Sequence, residues 1–187
     1  TGQQGVRLVV EILGEAMAEG MQLVGVGDSN SGSFTDFLVE KMQVYPNHVA
    51  IRPYSEELGS LVYAGSDIFM MPSLFEPSGL GQLVSLRYGT IPVVRRTGGL
   101  ADTIYDYNTI NRTGNGFVFD EYTGKALGEA ISRALDLWSQ KDKWWDLMLR
   151  SMALSYSWEI PAKKYARIYR AALKEKAGKS WSIPKKW

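Results

Sequence analysis

Short apolar runs alternating with amphipathic stretches, with glycine-bearing turns between them, most constrain how this 187-residue chain can fold. Met21-Gln-Leu-Val-Gly25, Val49-Ala-Ile-Arg52, Asp67-Ile-Phe-Met-Met71, Ile91-Pro-Val-Val94 and Gly116-Phe-Val-Phe119 read as buried strands. Val6, Val9, Val10, Leu13, Ala16 and Met17 share one helical face, and Gly20 ends that helix. After the loop Gly27 to Gly32, Ser33 caps a helix whose apolar face is Phe34, Phe37, Leu38 and Met42. Ser55-Glu-Glu-Leu58 opens a short helix that stops near Gly65. Further helices are expected over Leu80 to Tyr88, from Thr97-Gly98-Gly99 to Tyr105, and over Thr123 to Leu137, Lys141 to Ser155 and Pro161 to Lys176. Such alternation predicts an α/β fold with a parallel sheet and helices on both faces. Ligands of such sheets bind outside the carboxyl ends of the strands.

The stretch Ser73-Leu-Phe-Glu76-Pro77-Ser78-Gly79-Leu80-Gly81-Gln82 follows one strand and opens a helix. A turn there presents free backbone N–H groups and the positive end of a helix dipole, which suits a phosphate. Glu76 lies at the lip of the same turn. A carboxylate repels phosphate and suits a neutral group rich in hydroxyls. Phosphate and hydroxyls together point to a nucleotide sugar. A second glycine turn, Gly98-Gly99, also follows a strand and should line the same crevice.

The same residues have plainer readings. Glu76 can be a solvated loop carboxylate, and Gly79, Gly98 and Gly99 simple turn residues. Tyr54 can be an ordinary half-buried aromatic. Arg95 and Arg96 either bind phosphate or brace the chain after their strand. His48 carries no assigned role. The six tryptophans, Trp144, Trp145 and Trp158 among them, suit helix packing better than glycan stacking.

Composition narrows the function classes. A formal net charge of +1 favours neither nucleic acid nor an anionic membrane as partner. Without cysteine, disulfides and thiolate chemistry are excluded. No apolar run approaches the roughly 18 residues that span a bilayer. No Asp-x-Asp motif or His/Cys cluster supports a metal, and none is expected. Gly25-Val-Gly27-Asp28 lacks the third glycine of a dinucleotide fingerprint, and no Gly-x-Ser-x-Gly elbow occurs. The chain opens on Thr1, which suggests a fragment or a processed form.

Phe75-Glu-Pro-Ser-Gly-Leu80, Gln82 and Leu86-Arg-Tyr-Gly-Thr-Ile-Pro-Val-Val-Arg-Arg-Thr-Gly-Gly-Leu-Ala-Asp-Thr103 resemble bacterial glycogen synthases and plant starch synthases. The resemblance runs from Thr1 to about Lys174 and takes in Gly25-Val-Gly-Asp28, Tyr54, Gly116-Phe-Val-Phe119 and Tyr156-Ser-Trp158. It implies the Rossmann-like C-terminal half of a two-domain GT-B fold over 1–174, with 175–187 as a tail. The family's central first strand would precede Thr1. It further implies a retaining glucosyltransferase that uses ADP-glucose, needs no cofactor, extends an α-1,4-glucan, and partners an N-terminal domain supplying the acceptor site. Residence in the cytoplasm follows from it, or in the plastid for a plant or algal protein.

Carried over residue by residue, the resemblance makes Glu76 the active-site glutamate that holds the donor glucose hydroxyls. Ser78, Gly79 and Leu80 become the turn that contacts sugar and diphosphate, with Ser78 standing where many bacterial members have cysteine. Gly81 replaces a frequent threonine, which removes one hydroxyl near the phosphate or ribose. Gly98 and Gly99 form the second donor turn, and Tyr54 packs on adenine. Gln4 stands where the family's diphosphate-binding lysine belongs, and the accompanying arginine position precedes Thr1. Losing one such electrostatic contact often lowers a rate by about 10²–10³-fold. The alternative is therefore a noncatalytic nucleotide-sugar-binding or glucan-complex module derived from the enzyme.

Overall fold

The computed structural model describes residues 2–27 and 40–176. A 3-10 turn at Gly2–Gln4 leads into α1 (Val6–Ala18), β1 (Leu23–Gly27), a helical stretch at 40–44 and β2 (Val49–Pro53). Then come α2 (Glu56–Gly65), β3 (Ile68–Met71), α3 (Gly81–Tyr88), β4 (Ile91–Arg95) and α4 (Gly98–Thr103). β5 (Phe117–Phe119), α5 (Gly124–Trp138), α6 (Lys141–Met152) and α7 (Glu159–Lys176) complete the order. The expected cap at Ser33, the apolar positions Phe34, Phe37 and Leu38, Asp28, and the tail from 177 lie outside the described residues.

All strand pairing between these elements is parallel. β1 pairs with β2 from Leu23↔Val49 to Gly27↔Pro53. A separate ladder has the order β3-β4-β5, with Ile68↔Ile91 and Val93↔Phe117 in register. β4 is central yet contains Pro92. Ile91 N donates to Asp67 O on the β3 side. The proline nitrogen therefore faces β5, one residue before the first pair at Val93, so no ladder bond is lost.

Side-chain alternation splits the core between the two faces of this ladder. Ile91, Val93, Phe117 and Phe119 pack on one face with Leu8 and Ile12 of α1, Leu127 and Ile131 of α5, and Trp144 and Leu147 of α6. Val94 and Val118 point the other way, onto Leu86 of α3, and Leu100 and Ile104 around α4. α1 bridges the two ladders, since Leu13 and Met17 turn to Val49 of β2.

Local chemistry sets the element ends. β1 starts at Leu23, two residues later than the apolar run suggests. Gly20, at φ 77°, closes α1, and Met21 N donates to Ala16 O as part of that closure. Leu23 N then begins the ladder by donating to His48 O. His48 Nδ1 also lies 3.0 Å from Met21 O, a bond within the scaffold. Ser55 and Thr123 cap α2 and α5 by accepting from Leu58 N and Ala126 N. Thr123→Ala is expected to cost about 1 kcal/mol, read as a lower thermal midpoint with nucleotide affinity unchanged.

The chain divides into two units, Thr1–Leu154 and Ser155–Trp187, whereas the sequence places the break after 174. Within the second unit, the rings of Trp158, Tyr165 and Tyr169 run in sequence at 6.4 and 6.2 Å. Trp144 is buried in the first unit, while Trp145 and Trp158 are exposed.

Candidate functional site

Parallel pairing of β3 with β4 brings the loops after these two strands, which carry Glu76, Ser78, Gly79, Leu80, Gly98 and Gly99, to one carboxyl edge, while Tyr54 follows β2 of the other ladder. The loop after β3 is fixed from its start. Leu74 N donates to Gln3 O at 2.8 Å, and Gln3 Nε2 donates to Phe75 O at 3.2 Å. Gly5 adopts φ 72° against Pro72, where a Cβ would stand 1.8 Å from the Pro72 carbonyl oxygen. Gln4, between these two contacts, is thereby placed beside the Glu76 loop.

The two glycine turns interlock. Gly99 N donates to Glu76 O at 3.0 Å. A Cβ on Gly98 would stand 2.0 Å from Glu76 O, and one on Gly99 would stand 2.0 Å from Ser78 O. Both glycines are thus required by close backbone approach, beyond any turn preference. Gly79, at φ 72°, lies between exposed Ser78 and Leu80 just before α3. The leading N–H groups of α3 have no intrahelical acceptor, which leaves donors at the lip where Glu76 lies half-buried.

Arg95 and Arg96 resolve to bracing roles. Arg95 Nη1 donates to Leu74 O at 2.7 Å, and its Nε donates to Asp120 O at 3.1 Å. Its guanidinium also lies 5.6 Å over the Tyr122 ring. Arg96 pairs with Asp120 at 2.7 Å. Arg95 thus ties the turn after β3 to the chain after β5.

Tyr54 follows β2, with its N–H donating to Gly27 O, and its side chain is 63% exposed. Tyr63 lies between Tyr54 and the turn. Burial, together with Tyr54 nearby, pushes its phenol above the ordinary tyrosine range, so it remains an O–H donor at neutral pH. The Tyr63 ring lies 5.2 Å from Phe69 and 6.1 Å from Tyr88. A Cβ on Gly81 would stand 3.1 Å from the Tyr63 hydroxyl and 3.0 Å from Phe69 Cζ. Gly81 therefore has a steric reason of its own, beyond the hydroxyl it lacks.

Sequence reasoning assigned no role to Gln3, Tyr63, Gln82 or Thr103. The one legible signal was Gln82, an amide in the first turn of a helix next to two glycines. Among the described residues no group of three or more His, Cys, Asp or Glu could hold a metal, and no helix is long and apolar enough to cross a membrane.

A family model described as glycosyl transferases group 1 matches residues 2–146. The glycogen synthase of Geotalea daltonii is 45% identical over 179 residues, taking in 94% of this chain and 36% of that protein. That of Desulforudis audaxviator is 43% identical over 175 residues, taking in 92% and 35%. The catalytic domain of starch synthase IV from Arabidopsis thaliana, bound to ADP and acarbose, superposes with a TM-score of 0.83 at 32% identity, over 91% of this chain and 36% of that one. Sucrose-phosphate synthase from Thermosynechococcus elongatus shares the fold at a TM-score of 0.68 and 21% identity, over 94% and 44%. The chain spans 36% or less of the length of the two glycogen synthases. Its fold is the Rossmann-like C-terminal half of a GT-B glycosyltransferase. A match that reaches over most of the chain makes it a member of the group 1 glycosyltransferases.

Proposed function

We propose that this chain is the donor-binding half of a retaining glucosyltransferase that passes glucose from ADP-glucose to the non-reducing end of an α-1,4-glucan. One observation carries the reading: Glu76, at the lip, shares an interlocked pair of glycine turns with the free N–H groups at the start of α3. The N–H groups take the diphosphate, and the Glu76 carboxylate takes glucose hydroxyls. Tyr54, on the neighbouring ladder, takes the adenine. Likeness to a starch synthase bound to ADP supports an adenine nucleotide over uridine. The glucan acceptor and the remaining catalytic groups come from an N-terminal domain, in the cytoplasm or a plastid. The reading invokes no metal.

Arg95 and Arg96 are both engaged by loop groups, so the charge at residue 4 matters more. Gln4 can donate a hydrogen bond but cannot balance the charge that builds on departing ADP. That observation favours the second reading, a noncatalytic module of the same ancestry. Calorimetry with ADP at low salt tests the site. Wild type should bind, and Gly79→Val should not, because φ 72° and the Gln82 amide beneath it oppose a side chain. Equal binding by both would remove the phosphate turn. Gln4→Lys is expected to tighten ADP by about tenfold at low ionic strength, less as salt rises. In the full-length protein the same change should raise glucosyl transfer if the protein is an enzyme. Tighter ADP with no transfer would select the module.

A further inference from the structure

We infer that Gln82 is a positioning residue that turns the Gly79 and Leu80 amides toward the donor diphosphate, an inference that rests on the donor-binding reading above. Gln82 is fully buried in the first turn of α3. The two N–H groups of its Nε2 are shared among three acceptors, Ser78 O at 3.1 Å, Gly79 O at 3.1 Å and Thr103 Oγ1 at 3.3 Å. The hydroxyl of Thr103 in turn donates to Gly99 O at 2.6 Å. One amide thereby links the first glycine turn, α3 and α4, which opens on Gly98 and Gly99.

The two carbonyls it holds are consecutive. In a trans peptide the C=O and the following N–H point in opposite directions. Drawing Ser78 O inward turns Gly79 N–H outward, and drawing Gly79 O inward turns Leu80 N–H outward. The side chain thus fixes the direction of two successive donors that it never touches. Gly79, at φ 72°, is the residue that lets both carbonyls face the same amide.

Packing does not explain Gln82. Its Oε1 is buried without a hydrogen-bond partner among the described residues, and it lies 2.5 Å from where a Cβ on Gly79 would stand. A leucine would remove the orphaned Oε1 but would leave Ser78 O and Gly79 O without this donor. An amide with one end left unpaired is explained by what its other end holds. The orphaned oxygen also lies under the turn itself, a second feature of the site independent of the α3 N-terminus.

The experiment is an ADP titration of the chain, followed by calorimetry and by amide NMR of Gly79, Leu80 and Tyr54. In wild type all three amides should move. Gln82→Leu should weaken ADP by about tenfold or more and abolish the Gly79 and Leu80 shifts, while the Tyr54 amide still moves at saturation. Thr103→Val, which keeps the shape and removes only the bridge, should weaken ADP by about threefold in the same pattern. It carries the test if Gln82→Leu does not fold. Unchanged affinity and unchanged Gly79 shifts in the variants overturn the inference and leave the donor site standing. Equal loss of all three shifts, together with a lower thermal midpoint, marks Gln82 as structural only and also overturns it. A wild-type chain that binds no ADP removes the donor-binding reading and the inference with it.

Discussion

Glu76→Ala is expected to lower glucosyl transfer by the full-length protein about 10²–10³-fold while ADP affinity stays within about twofold. The split follows from which atoms of Glu76 hold the turn. Its backbone carbonyl accepts from Gly99 N and keeps the two glycine turns together, and alanine retains that carbonyl. Only the half-buried carboxylate is lost, the group proposed to hold glucose hydroxyls rather than phosphate. Transfer assayed with ADP-glucose and glycogen, beside ADP calorimetry on the same sample, reads both quantities. Near-normal transfer by the alanine variant would return Glu76 to a solvated loop carboxylate. Joint loss of transfer and ADP binding would mean that the side chain supports the turn instead.

The second large effect belongs to Gly99→Ala. Its Cβ would stand 2.0 Å from Ser78 O and 2.5 Å from Ser78 Cα, and both are backbone atoms that cannot rotate away. The first turn must shift or the start of α4 must unwind. A cost of about 2–4 kcal/mol in stability is expected, with ADP weakened by at least about tenfold. Gly65→Ala is the control, since nothing stands within 4 Å of its added Cβ. Denaturant unfolding and ADP titration of both variants check this. A Gly99→Ala protein as stable and as tightly binding as the Gly65 control would mean that the turns do not interlock.

Glycine turns illustrate what can be read locally. The sequence placed Gly79 and Gly98-Gly99 after strands and before helices; the structure puts Gly79 there, whereas Gly98 and Gly99 are themselves the first residues of α4. Their plain reading as turn residues was incomplete, because the demand at Gly98 and Gly99 comes from carbonyls of another loop. Arg95 shows the converse. A cation beside a suspected phosphate site invites a phosphate role, yet its guanidinium is held by Leu74 and Asp120 carbonyls. Helix ends at Ser55 and Thr123 were legible because a cap and its acceptor bond lie within three residues. The start of β1 was misplaced because Met21, apolar and strand-like, is drawn into the α1 cap.

Period and cap chemistry act over a few residues, so the amino-acid order was enough for the α/β alternation and the parallel strand pairing. The long family-specific block from Phe75 to Thr103 carried the kinship, which the match over 2–146 bears out. The site's rigidity came from pairs far apart in the chain. Gln3 reaches Phe75 across 72 positions, Arg95 reaches Leu74 across 21, and Gln82 reaches Thr103 across 21. Neither spacing nor composition encodes the direction in which a buried amide or a guanidinium points. Packing sets that direction: α3 and α4 share one ladder face, which brings Gln82 to Thr103, and the turn before α1 brings Gln3 to the Glu76 loop.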